Sequence, residues 1–156
     1  MNLSTFLIKY GIRTISNFQL RHIFNDLNIS GKVLMRDELN KIKSTKKSNI
    51  IMNLQTSKDN GSHWVVILKS IGLQYYFDPY GVLLTREVYE YLDKLFSWNK
   101  IKVQQDGMEC CGQLSMYFLY RINLTDEKTD ENGIDYSPYE IILSMKHELL
   151  YLQFLA

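Results

Sequence analysis

Imidazole, carboxylate, amide and thiol follow one another along this chain at His63, Asp78, Gln104–Gln105 and Cys110–Cys111. Each pairing has a chemical reading. His63 opens an apolar run, His63-Trp-Val-Val-Ile-Leu68, and Asp78 closes a second one, Gln74-Tyr-Tyr-Phe-Asp78. A hairpin turning at Ser70 and Ile71 sets His63 against Asp78, Val65 against Tyr76 and Ile67 against Gln74. Directly opposed side chains lie ~4.5–5.5 Å apart at Cβ on a shared face. A carboxylate there fixes the ring tautomer and favours the imidazolium, as in the base half of a catalytic triad. The same two residues also fit a strand-end histidine and an acid that starts a turn before Pro79.

Cys111 falls where a helix over 111–122 should begin, just before Gly112. Unpaired N–H groups and the helix dipole lower the pKa of a thiol at such a place, and a neighbouring imidazolium lowers it further. Gly112, lacking Cβ, leaves room for a substrate backbone. As an alternative, Cys110 and Cys111 are small apolar core residues. An amide donor from Gln104 or Gln105 could meet a developing oxyanion together with the Cys111 N–H.

The elements that must position these groups follow from periodicity. Helices are expected over 3–10 and 16–28, where Phe18, Leu20, Ile23, Phe24 and Leu27 recur at helical intervals. Further helices are expected over 85–96 (stripe Val88, Tyr91, Leu92, Leu95), over 111–122 (Leu114, Tyr117, Phe118, Ile122 inward) and over 139–155. The last is apolar nearly all round and should be buried or meet a partner. Strands are expected over 49–55, over the two runs named above, and over 100–104. Ser57–Gly61 and Thr125–Pro138 read as polar loops. Strands in the middle with helices before and after give an α+β fold, its central sheet mixed or mostly antiparallel and flanked by helices.

With 156 residues, the chain is expected to form one domain, 1–156, large enough for a core without staples. Hydrophobic residues at 46% and aromatics at 13% argue against disorder. Eighteen basic against 17 acidic residues leave a net charge of +1, which demands neither nucleic acid nor an anionic membrane. Lys41, Lys43, Lys46 and Lys47 read as a solvated segment. Two adjacent cysteines make no disulfide framework and point to a reducing compartment. The histidines and cysteines show no zinc spacing, and neither a membrane span nor a signal peptide is expected.

Taken together, the strings Asn60-Gly-Ser-His-Trp64, Tyr76-Phe-Asp-Pro-Tyr-Gly81 and Gln105-Asp-Gly-Met-Glu-Cys-Cys-Gly112, with Ile51-Met-Asn-Leu-Gln55 ahead of them, resemble a family. It is that of the adenovirus maturation protease (adenain) and the SUMO and ubiquitin-like-protein proteases. The likeness covers roughly 50–122. The compact size most resembles the proteases of virophages and Polinton-type elements.

The resemblance implies a viral thiol protease of adenain-like fold. His63 matches its general base, Asp78 the acid that orients the base, and Cys111 its nucleophile, which directly precedes the glycine. Gln105 has the SUMO-protease spacing and Gln104 the adenain spacing; Gln105 is favoured and Gln104 stays open. Trp64 matches the aromatic beside the histidine, and with Gly112 is expected to contact substrate. Also implied are cleavage after small, Gly-rich residues of capsid or other virion precursors, a narrow tunnel between Trp64 and the Cys111 loop, and residence in the virion and the virus factory. The chemistry requires no cofactor; the resemblance adds DNA or an activating peptide as stimulators. The protein is expected to be a monomer. Two alternatives stand beside this reading: an isopeptidase acting on ubiquitin-like conjugates, and a non-enzymatic module that meets nucleic acid weakly through Lys41–Lys47.

Overall fold

The computed structural model describes residues 1–57, 63–81, 84–93, 95–127 and 137–152. The fold is α+β, with a five-stranded mixed sheet flanked by helices. Its strands are β1 (Lys32–Met35), β2 (Ser48–Asn53), β3 (Trp64–Ser70), β4 (Leu73–Phe77) and β5 (Ser97–Trp98). They lie side by side in chain order. The outer pairs, β1–β2 and β4–β5, are parallel, while β2–β3 and β3–β4 are antiparallel.

Alternation along β3 and β4 feeds two cores. Trp64, Val66 and Leu68, with Tyr75 and Phe77, face one side. There α1 (Leu3–Tyr10), α2 (Asn17–Asp26), α4 (Cys111–Glu127) and α5 (Pro138–Leu152) pack on them. Val65, Ile67 and Tyr76 face the other side, under Leu39 and α3 (Arg86–Tyr91). Because both faces are covered, β3 is an unbroken apolar run rather than an alternating one. Phe118, facing into the core from α4, stacks on Phe77 with ring centroids 4.6 Å apart.

Local chemistry sets the ends. Ser16 and Gln19 form a reciprocal capping box that starts α2. The hairpin pairs Ser70 with Leu73, so it turns at Ile71 and Gly72 rather than at Ser70 and Ile71. Gly72, at φ 74°, supplies the left-handed residue that the turn needs. Ile67 therefore faces Tyr76 instead of Gln74, a shift of two residues. Side chains alternate with period two, so a two-residue shift keeps His63 and Asp78 on a common face.

Several expected elements end elsewhere. The segment 100–104 is not a strand: Val103 and Gln104 both donate their N–H to the Pro79 carbonyl, at 2.9 and 2.8 Å, and the chain loops around that atom. The short strands β1 and β5 take edge positions that the periodicity did not mark. α3 stops at Tyr91, where the Gln74 side chain captures the Asp93 N–H at 2.9 Å, and Leu95 is 94% exposed instead of facing inward. Phe18 is likewise exposed. α2 ends at Asp26, two residues short of the expected limit, while α4 runs on to Glu127. α5 buries Ile141, Ile142, Met145 and Leu149 but leaves Tyr139 and Tyr151 in solvent. Lys41, Lys43, Lys46 and Lys47 are exposed, as a solvated segment should be. Residues 58–62 and 128–136, where most of the two expected polar loops fall, and 153–156 lie outside the described residues.

Candidate active site

His63 and Asp78 sit just beyond the paired ends of β3 and β4, at the end of the sheet where α4 begins. Continuing the ladder register would set His63 across from Tyr80, and their ring centroids are 4.8 Å apart. Asp78 reaches the histidine diagonally: Nε2 of His63 lies 2.6 Å from Oδ1 of Asp78. The aspartate is 1% exposed. Burying a carboxylate is costly unless its oxygens are hydrogen-bonded, and the Tyr80 N–H donates to the same Oδ1 at 2.8 Å.

The main chain of Asp78 is held by Asn99. That buried side chain accepts the Asp78 N–H at 2.8 Å and donates to the Asp78 carbonyl at 2.6 Å and to the Ile101 carbonyl at 2.9 Å. It continues the β4–β5 pairing by one side-chain rung. Asn99 carried no signal in the sequence, because a single asparagine after a short edge strand has no pattern.

Cys111 opens α4, and its sulfur accepts the Trp64 N–H at 3.5 Å. The second imidazole nitrogen, Nδ1, is buried, and the Cys111 thiol interacts with the ring. Burial alone would favour a neutral ring. The Asp78 hydrogen bond, the nearby Cys111 thiol and the charges of both outweigh it and raise the His63 pKa to about 9. Cys110 differs: burial, then the neighbouring Cys111, pushes its thiol up to about 11.

Cys111, Trp64, Tyr80, Gln104, Met108 and Ile15 line one cleft of about 350 Å³. One wall is the segment after α1, strapped down by Trp64 Nε1 on the Ile15 carbonyl (3.1 Å) and Gln113 Nε2 on the Arg13 carbonyl (2.8 Å). Ile15, Met108 and Tyr80 join the site through the fold. For Tyr80 a signal existed, since it follows Asp78 by two positions and so shares its strand face.

Of the two candidate amides, Gln104, 1% exposed, lines this cleft, and Gln105 is not among its lining residues. Gly112 does not offer space to a substrate backbone. A Cβ there would lie 2.3 Å from Ile15 Cγ2 and 3.1 Å from Trp64 Cδ1, so the missing side chain serves packing beneath the wall. Trp64 itself is buried and borders the cleft. Of the motif at 60–64, only His63 and Trp64 fall within the described residues.

The arrangement can polarise a thiol, hold a proton on an imidazole and present an amide in the cleft that the thiol lines. Among the described residues, no group of three or more His, Cys, Asp or Glu could hold a metal, and no helix is long and apolar enough to cross a membrane. No protein-family model matches the chain, and no curated protein matches its sequence.

Proposed function

We propose that this protein is a cysteine endopeptidase with an adenain-like site. The observation that carries the reading is the 2.6 Å contact between His63 Nε2 and buried Asp78 Oδ1, with the Cys111 thiol, at the start of α4, close enough to act on the ring. In the reaction, the Cys111 sulfur adds to a peptide carbonyl carbon and the C=O π electrons move onto oxygen. The Gln104 amide and the Cys111 N–H receive that oxyanion. The oxyanion re-forms the C=O bond as the C–N bond breaks and the leaving amine takes the His63 proton; His63 then takes a proton from water, whose oxygen adds to the thioester carbon, and the C–S bond breaks to return the Cys111 thiolate. Asp78 holds the ring and favours its charged form.

The substrate class comes from the motif resemblance: virion or capsid precursors cut after small, Gly-rich residues. Peptides bearing Gly-Gly or Gly-X-Gly should be cleaved by the wild-type chain, with Cys111→Ala and His63→Ala inactive. If the wild type leaves such peptides and the precursor proteins intact, or if Cys111→Ala cleaves them equally well, the proposal fails.

A further inference from the structure

The Gln104 side chain is committed through its nitrogen. Its Nε2 donates one hydrogen to the Met108 carbonyl at 2.6 Å and the other to the Tyr80 hydroxyl at 3.1 Å. Its Oε1 is buried without a partner. Rotating the amide would set two acceptors 2.6 Å apart at Met108, so the orientation is chemically determined. The Tyr80 hydroxyl donates its own hydrogen to the Met108 carbonyl at 3.2 Å and thus turns lone pairs toward Gln104. Tyr80 is anchored in turn by its N–H on Asp78 Oδ1 and its ring against His63.

We propose that Tyr80 is a positioning residue whose hydroxyl holds one Gln104 N–H in the cleft, ready to meet the oxyanion of a Cys111 adduct. This rests on the peptidase reading and adds to it the group that aims the donor. The Tyr80 contact is the longer of the two that Gln104 makes, so that N–H is the one free to turn. A hydrogen bond to an oxyanion is roughly twice as strong as one to a neutral hydroxyl, so the transfer is downhill. Without the hydroxyl, Gln104 keeps only the Met108 carbonyl. Its terminal torsion, which is intrinsically broad, then scatters the second N–H.

The test compares two reagents on the full chain carrying Tyr80→Phe, Gln104→Ala or both. A peptide aldehyde ending in glycinal reports the oxyanion: sulfur bonds to the carbonyl carbon, the π bond opens, and the oxygen takes up the negative charge and then a proton. Chloroacetamide reports the thiol alone: sulfur bonds to carbon, chloride leaves, and no oxyanion forms. Tyr80→Phe should weaken the aldehyde about tenfold, with alkylation of Cys111 keeping its rate and pH profile. The double variant should be no weaker than Gln104→Ala. Unchanged or tighter aldehyde binding in Tyr80→Phe overturns the proposal. So does an equal fall in alkylation, or losses that multiply in the double variant. A wild type in which Cys111 takes up neither reagent refutes the peptidase reading itself.

Discussion

Cys110 and Cys111 are adjacent in the chain and open into different cavities. Cys111 lines the cleft with Gln104 and Trp64, whereas Cys110 lines an apolar groove of about 700 Å³ with Leu7, Ile12 and Leu149. Successive positions at a helix start point ~100° apart, so a single imidazole serves one of them. Cys111 has His63 beside it, and Cys110, its pKa pushed up to about 11, is held as the thiol. Chloroacetamide at neutral pH should therefore modify Cys111 at least tenfold faster than Cys110. His63→Ala should remove most of that difference. Peptide mapping that finds equal rates, indifferent to His63, would refute the selective activation of Cys111.

The raised pKa of His63 has a readable pH signature. Its imidazolium persists until pH approaches about 9, so proton donation to a leaving amine should fail only on that alkaline limb. Asp78→Asn removes the first and strongest of the groups that favour the charged ring, and the limb should move toward acid. Stability follows the same sign. A group whose pKa is higher folded than unfolded (~6.5 for a free histidine) stabilises most below the unfolded value, and the gain is lost as pH rises through the folded one. The urea midpoint should decline between pH 7 and about 9, and decline less in Asp78→Asn. A limb that stays in place in Asp78→Asn would show that the carboxylate does not set this titration.

The meeting of imidazole, carboxylate and thiol was legible because each lies at an element end that the sequence marks. His63 and Asp78 bound apolar runs, and Cys111 begins the amphipathic stretch that becomes α4. The hairpin register lies two residues from the one expected, because the turn takes Gly72 in its left-handed conformation rather than centring on Ser70 and Ile71. A shift of two keeps the shared face intact; a shift of one would hide the site. The edge strands β1 and β5, at four and two residues, are too short to show a period. Asn99, Ile15 and Met108 reach the site by tertiary contacts alone. In sequence, a glycine after a thiol looks the same whether it leaves room for a ligand or, as Gly112 does, for Ile15.

Gln104 and Gln105 make opposite predictions for amide deletion. Gln104 is buried beside Cys111 with its Nε2 on Tyr80 and Met108, while Gln105 stands outside the cleft lining. Losing one oxyanion donor typically lowers the rate ~10²–10³-fold. Gln104→Ala should lower kcat on a Gly-Gly peptide by that order with little change in KM, and Gln105→Ala should stay within a few-fold of wild type. Steady-state kinetics showing the large loss in Gln105→Ala instead would return the oxyanion role to that residue.

Gly112→Ala sets helix propensity against packing. Alanine is favoured over glycine inside a helix by ~1 kcal/mol, but the new Cβ would stand 2.3 Å from Ile15 Cγ2 and 3.1 Å from the Trp64 ring. Overpacking of this kind typically costs ~1–3 kcal/mol. Cγ2 of Ile15 is attached close to a main chain that is itself tied down by Trp64 Nε1 and, through Arg13, by Gln113, so the wall has little freedom to retreat. Packing should win, and Gly112→Ala should lower the urea midpoint. Ile15→Ala removes the clashing methyl, so the double variant should be more stable than the two single losses would sum to. Equilibrium unfolding of the four proteins measures this coupling, and strict additivity would show that Gly112 and Ile15 do not press on each other.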